Sequence, residues 1–214
     1  METVELIKSS ITEYSKTWEL QKKLLNEVTQ KGNKHYIILT EHQPVITLGK
    51  GGDLKNLLYK PEYLHSKGIQ FFDIDRGGDI TFHGPGQLVG YPILNLEKFK
   101  KDIHWYMRTL EEVIIQTLKH FSISTQRIKG LTGVWINNKK ICAIGLKVSR
   151  WVTMHGFALN VNVALNYYNY IVPCGINDKG VTSISEQLKT RISVETVNEI
   201  VIKNFAKVFN VKLN

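Results

Sequence analysis

The chain of 214 residues carries two thiols, Cys142 and Cys174. Cys142 falls in an apolar strand pattern between Ile141 and Ile144, where a cysteine reads as a small buried hydrophobe. Cys174 falls in the run Ile171-Val172-Pro173-Cys174-Gly175-Ile176, a Pro/Gly loop. A thiol there is either another small hydrophobe or a nucleophile. A free thiol with a pKa of about 8.5 is only a few per cent thiolate at neutral pH. A nucleophile would therefore need a cation beside it. Separately, the run Lys139-Lys140-Ile141-Cys142-Ala143-Ile144-Gly145 leads a strand with a lysine; Lys140 there can be an ordinary turn lysine like Lys139.

The densest signal is residues 76–92, from Arg76-Gly77-Gly78-Asp79-Ile80-Thr81-Phe82-His83 through Gly84-Pro85-Gly86-Gln87-Leu88-Val89-Gly90-Tyr91-Pro92. Glycines at this density let backbone approach a ligand closely, and loop amides can bind an anion or a carbonyl oxygen. His83 offers a further hydrogen bond. No Gly-Lys-Ser/Thr ending makes this a P-loop, and no helical pattern follows to make it a dinucleotide fingerprint. The other reading is a glycine-rich turn between two strands. A third run, His155-Gly156-Phe157-Ala158-Leu159-Asn160, starts a strand. His42 and His155 either orient a loop or satisfy backbone groups, whereas His35, His65, His104 and His120 read as surface or structural.

These residues must be positioned by a mixed set of elements. Apolar residues at Ile11, Tyr14, Trp18, Leu20, Leu24 and Leu25 predict an amphipathic helix over residues 10–30, ended by Gly32-Asn33. Strands are expected at 35–39, 45–48, 70–74 and 88–96. Asp102 can cap a helix to about His120, with Met107, Leu110, Val113, Ile114 and Leu118 on its apolar face. Residues 133–136, the turn Asn137-Asn138 and 140–148 read as a hairpin. A strand follows at 156–161 and a loop region at 167–180. Ser183 and Ser193 are caps for two closing helices, the last over 194–209. Helices flanking mostly antiparallel strands predict an α+β (mixed α/β) fold.

Hydrophobic content of 43% and charged content of 22% suit a single globular domain spanning residues 1–214. No run of about 18 apolar residues predicts a membrane span. The acidic start Met1-Glu2-Thr3-Val4-Glu5 lacks signal-peptide features, so a cytoplasmic chain with reduced thiols is the default expectation. With two cysteines and no paired histidine spacing, structural zinc is not expected. The net charge is +9. Residues 113–177 hold no Asp or Glu but contain Lys119, Arg127, Lys129, Lys139, Lys140, Lys147 and Arg150. That stretch is either a solvated basic face or a surface for an acidic partner, nucleic acid or protein.

Taken together and in this order, residues 76–92, Gly133-Val134-Trp135, 140–145, 155–160 and Pro173-Cys174-Gly175 resemble the bacterial lipoyl(octanoyl) transferases. The run Glu41-His42-Gln43-Pro44-Val45-Ile46-Thr47-Leu48-Gly49 resembles their N-terminal region. The resemblance covers about residues 35–185. It implies the fold of biotin and lipoate protein ligases. It also implies transfer of an octanoyl group from octanoyl-acyl carrier protein to a lysine of lipoyl domains, those of 2-oxoacid dehydrogenases and the glycine cleavage H protein. Cys174 then matches the acyl-accepting cysteine and Lys140 the lysine that favours its thiolate. Arg76, Gly77, Gly78, Asp79, Ile80, Thr81, Phe82, His83, Ala143, Ile144, Gly145, His155, Gly156, Phe157 and Ala158 match the acyl-substrate region. Asp79 and Phe82 fall where the family pattern is expected to vary. Gly145, Gly156 and His83 are candidate donors to the acyl oxygen. Neither a metal nor another cofactor is expected, because the thioester donor is already activated; a monomer is the working expectation.

Two other readings compete. An ATP-dependent lipoate–protein ligase shares the fold and the glycine-rich loop but needs an adenylate site and no cysteine. A non-catalytic nucleic-acid-binding protein would use the basic stretch but leaves Cys174 and the His/Gly runs without a role. If the basic stretch steers an acidic carrier protein, kcat/KM for that donor falls as ionic strength rises; a flat salt response removes the steering role.

Overall fold

The computed structural model describes residues 1–175 and 179–214, with the side chain of Cys174 outside the described part. The chain opens with strand β1 (Glu2–Thr12), helix α1 (Tyr14–Lys31) and strands β2 (Tyr36–His42) and β3 (Val45–Leu48). Helix α2 (Pro61–Ser66) and strands β4 (Gln70–Asp73), β5 (Thr81–His83) and β6 (Gln87–Ile93) follow. After α3 (Ile103–His120) come β7 (Val134–Ile136), β8 (Lys139–Ser149) and β9 (Val152–Asn160). Strand β10 (Gly180–Val181), helices α4 (Ile184–Leu188) and α5 (Val194–Phe209), and β11 (Val211–Leu213) close the chain.

The large sheet runs β10-β8-β9-β6-β2-β1-β11, with β7 also on β8, and a small sheet runs β4-β3-β5. The middle of the large sheet is antiparallel, as expected. Its margins are not: β1 pairs in parallel with both β2 and β11, and β10 pairs in parallel with β8. The α+β class holds, with a more mixed sheet than the strand pattern predicts.

Side-chain alternation in the central strands feeds two cores. In β2, Ile37 and Leu39 join the cluster under α3 and α5, whereas Tyr36 and Ile38 join the cluster under α1. On α3, Leu110, Val113, Ile114 and Leu118 are fully buried; Val197, Val201 and Phe205 of α5 meet them. Complete burial contributes about 1.5–3 kcal/mol for each such side chain. Caps fix where these helices begin. Asp102 accepts from Trp105 N at 2.9 Å, Ser183 from Glu186 N at 3.2 Å and Ser193 from Thr196 N at 3.0 Å. Gly32 ends α1 at φ 71°, its amide on Val28 O. Residues 10–12 belong to β1 instead of α1, and Ile11 is exposed. Among the described residues no helix is long and apolar enough to cross a membrane.

One buried carboxylate ties α3 to the loop before β7. Glu111 is 1% exposed; its Oε2 accepts from Arg108 at 2.7 Å and Arg127 at 2.9 Å, and its Oε1 from Gly133 N at 3.1 Å. Removing the carboxylate strands a buried amide and frees the loop. Glu111→Ala is expected to cost about 3 kcal/mol, at the lower end for breaking a buried pair because both arginines reach solvent. Urea unfolding measures it, and a change below about 0.5 kcal/mol would show that the loop holds itself.

Candidate active site

A cavity of about 550 Å³ lies beside β8 and the glycine-rich loop. The loop is fastened to that strand by Gly77 N, which donates to Leu146 O at 2.8 Å. Arg76 shapes it. Its guanidinium donates to Asp79 O at 2.7 Å, Gly77 O at 2.9 Å and Thr47 O at 3.3 Å. Its side chain lies across Gly145, where a Cβ would fall 2.5 Å from Arg76 Cδ. Gly156, opposite Gly145 in the β8–β9 ladder, is pressed against Gly90 O more closely than any Cβ allows. These two glycines are therefore demanded by close approach.

The structure brings Arg76, Gly77, Gly78, Asp79, Ile80, Thr81, His83, Lys140, Ala143, Ile144, Gly145, His155, Gly156, Phe157 and Ala158 to this one cavity. Phe82 is set apart. As the middle residue of β5 it points to the opposite side, fully buried, and stacks on Tyr167 at 4.6 Å. It anchors the segment that leads to Cys174. Lys140 Nζ sits over the Trp135 ring, 4.7 Å from its centroid. The side chain of Cys174 lies outside the described residues, but the backbone turn Pro173–Gly175 is placed against Asp79: a Cβ on Gly175 would be 2.5 Å from Asp79 Oδ2. Cys142 is fully buried in the core, and burial drives its thiol pKa far up, as suits a small hydrophobe.

Sequence reasoning missed several wall residues. Tyr14 of α1 stacks on His83 with centroids 6.1 Å apart, and Tyr91, Ile103, Met107 and Leu131 also face the cavity. Asp75 accepts from His155 Nε2 at 2.9 Å and pairs with Lys147, holding the start of the loop against β8 and β9. The hydrogen bond from His155 keeps the Asp75 carboxyl well below the usual range. His155 sits at φ 61°, a left-handed conformation uncommon for a side-chain-bearing residue, with its amide on Gln21 Oε1 at 3.0 Å.

The proton positions on two histidines follow from their partners. Gln87 Nε2 donates to Phe82 O at 3.1 Å and Asn160 Oδ1 at 2.9 Å, so its Oε1 must accept from His83 Nδ1 at 2.7 Å. His42 Nδ1 donates to Thr12 O at 3.3 Å, so its Nε2 accepts the Tyr91 hydroxyl at 2.7 Å. His83 thus holds its proton on the nitrogen facing Gln87. Burial, helped by repulsion from His42, pushes its pKa down to about 3; burial takes His42 to about 4. The expectation that His83 donates to an acyl oxygen is corrected: the neutral ring's other nitrogen is an acceptor. The expectation for Gly145 and Gly156 is corrected too: Leu146 O and His155 N point out of the β8–β9 ladder, so the facing Gly145 and Gly156 are its hydrogen-bonded pair and their amides are taken by each other's carbonyls.

Two solved structures share this architecture over nearly the whole chain. A bipartite lipoate protein ligase from Thermoplasma acidophilum superimposes with a TM-score of 0.76 at 16% identity, covering 100% of this chain and 86% of that one. A biotin protein ligase from Aquifex aeolicus, in complex with biotin and ATP, gives 0.57 at 14% identity over 98% and 71%. The fold is therefore that of the lipoate and biotin protein ligases. Residues 13–206 match the lipoyl protein ligase A/B catalytic domain, and the chain belongs to that family. Among its relatives is the octanoyltransferase of Christiangramia forsetii, 44% identical over 98% of this chain and 97% of that protein.

The buried histidines make stability depend on pH. Their folded pKa values lie below the ordinary value of 6.5, so between about 3 and 6.5 the unfolded chain binds more protons and stability rises with pH. The contribution is complete above pH 6.5 and is lost as pH falls towards the folded values. Each histidine contributes a slope of up to about 1.4 kcal/mol per pH unit in that window. Urea midpoints should drop between pH 7 and pH 5, and His83→Gln should flatten the dependence.

Proposed function

We propose that this chain is an octanoyltransferase that carries the acyl group on Cys174 during transfer from octanoyl-acyl carrier protein to a lysine of a lipoyl domain. The observation that carries the activity is its near-full-length similarity to a named octanoyltransferase. The cavity supports it: the glycine-rich loop, the 143–145 strand and the 155–158 strand converge on one space with Lys140 in its wall. The turn holding Cys174 packs on Asp79, which also lines that space.

In this reading the Lys140 ammonium favours the Cys174 thiolate. The thiolate attacks the donor thioester carbonyl, the S–C bond to the carrier breaks, and the carrier thiolate takes a proton. The acceptor amine then attacks the enzyme thioester, forming an amide and returning the thiolate. The amine must shed a proton, which Lys140 can relay. One thioester replaces another in the first step, so it is reversible; amide formation drives the second. Ile103, Met107, Leu131 and Val89 give the acyl chain an apolar lining, where each buried methylene contributes about 0.8 kcal/mol. The acceptors are lipoyl domains such as those of 2-oxoacid dehydrogenases or the glycine cleavage H protein.

Mixing the protein with octanoyl-acyl carrier protein should give one hydroxylamine-labile octanoyl adduct on Cys174 by mass spectrometry. Cys174→Ala should abolish it and Cys142→Ala should leave it. Lys140→Ala should slow its formation about 10²-fold, the scale of a lost acid–base group. Pyrophosphate release from ATP and free octanoate, with no adduct, would point to a ligase instead.

A further inference from the structure

We propose that Asn56 and Asp79 form a strap that positions the Cys174 turn over the glycine-rich loop. The inference rests on Cys174 being the acyl carrier. Asn56 ends a short 3-10 turn, Leu54–Asn56, which Asp53 caps by accepting from Lys55 N at 2.9 Å. Its side-chain Nδ2 donates to Asp79 Oδ2 at 2.5 Å. Its carbonyl accepts Val172 N at 2.8 Å. Val172 O in turn accepts Gly175 N at 3.0 Å, closing the turn that contains Cys174. Neighbouring contacts join the same two segments: Leu58 N donates back to Tyr170 O at 3.0 Å, and Leu57 bridges Ile171.

Asp79 is held from the other side. Its Oδ1 accepts Ile80 N at 2.7 Å and its carbonyl accepts Arg76 at 2.7 Å. The bonds therefore run from Arg76 through Asp79 and Asn56 to Val172 and Gly175. Gly175 has φ 66°, and a Cβ there would lie 2.5 Å from Asp79 Oδ2 and 3.1 Å from Asn56 Nδ2. The glycine after Cys174 lies flush against the Asn56–Asp79 pair. The pair thus joins the glycine-rich loop to the backbone turn that contains Cys174. Asn56 and Asp79 act as positioning residues: a displaced nucleophile loses rate steeply with distance.

The test measures Cys174 acylation by quenched-flow mass spectrometry against octanoyl-acyl carrier protein, alongside thermal melts. Asn56→Asp sets two carboxylates together, and Asn56→Ala removes the donor. Each should lower the saturating acylation rate by about 30-fold while the half-saturating donor concentration stays within about twofold. The combined Asn56→Asp, Asp79→Asn swap re-forms the bond in the opposite sense and should recover to within about threefold of wild type. Should Asn56→Asp fail to fold, the Asn56→Ala rate and the swap still decide the matter. Single variants at wild-type rate, a swap no faster than Asn56→Ala, or a change in half-saturation with the rate preserved would each overturn the strap. Wild-type protein that forms no adduct on Cys174 would instead overturn the acyl-thioester reading on which it rests.

Discussion

The constraint on which the site depends is the packing of the half-buried Arg76 side chain against its own loop. A guanidinium can satisfy several acceptors at fixed angles, and here it takes the carbonyls of Thr47, Gly77 and Asp79. Thr47 belongs to the small sheet, whereas Gly145, beneath the arginine side chain, belongs to the large one. The loop is thereby fixed to both sheets at one point. The glycine at 145 is part of the same interaction, because any side chain there would displace the arginine stem. The cavity wall thus takes its shape from a cation that grips three backbone carbonyls and the Thr47 hydroxyl.

The polar side of the cavity follows the same economy. Tyr14, His42, His83 and Tyr91 are packed ring against ring, and the histidines spend their protons on Gln87 and Thr12. A charged imidazole in that cluster would lack solvent and sit beside Arg76, so neutrality is enforced by burial. What this wall offers a substrate is therefore hydrogen-bond acceptance and shape. Lys140 is a second cation of the cavity in addition to Arg76, and the aromatic face of Trp135 accommodates its ammonium.

The runs that meet at the cavity were readable because close backbone approach leaves a glycine signature at Gly77, Gly145 and Gly156, whereas residue type alone left Cys174 and Lys140 open and only the family resemblance singled them out. Helices α3 and α5 were readable because apolar spacing and Asp or Ser caps agree. Strands β1 and β11 were not. Glu2 pairs with Val211, across almost the entire chain, and the strand's half-exposed face shows no clean alternation. Tyr14 read as an ordinary core residue of α1, since spacing cannot tell a core face from a cavity wall. Asp75, Asn56 and Glu111 are common polar residues outside any motif. Their roles come from partners 80, 23 and 22 positions away. Asp79, set aside as variable, gains its place from the same kind of distant contact.

Folding also changes the meaning of the acid-free stretch from 113 to 177. Arg127 spends its charge on Glu111 and Glu112, which lie just upstream of that stretch; Lys139 pairs with Glu186 and Lys147 with Asp75. Four carboxylates from outside the segment thus fold back onto three of its seven cations. Because those pairs also fasten the loop before β7, the β8 start and the glycine-rich loop, much of the apparent basic excess is structural. A diffusing acidic partner therefore meets a weaker field than the linear charge implies. The remaining charge acts only over the roughly 8–10 Å that screening allows at ordinary ionic strength.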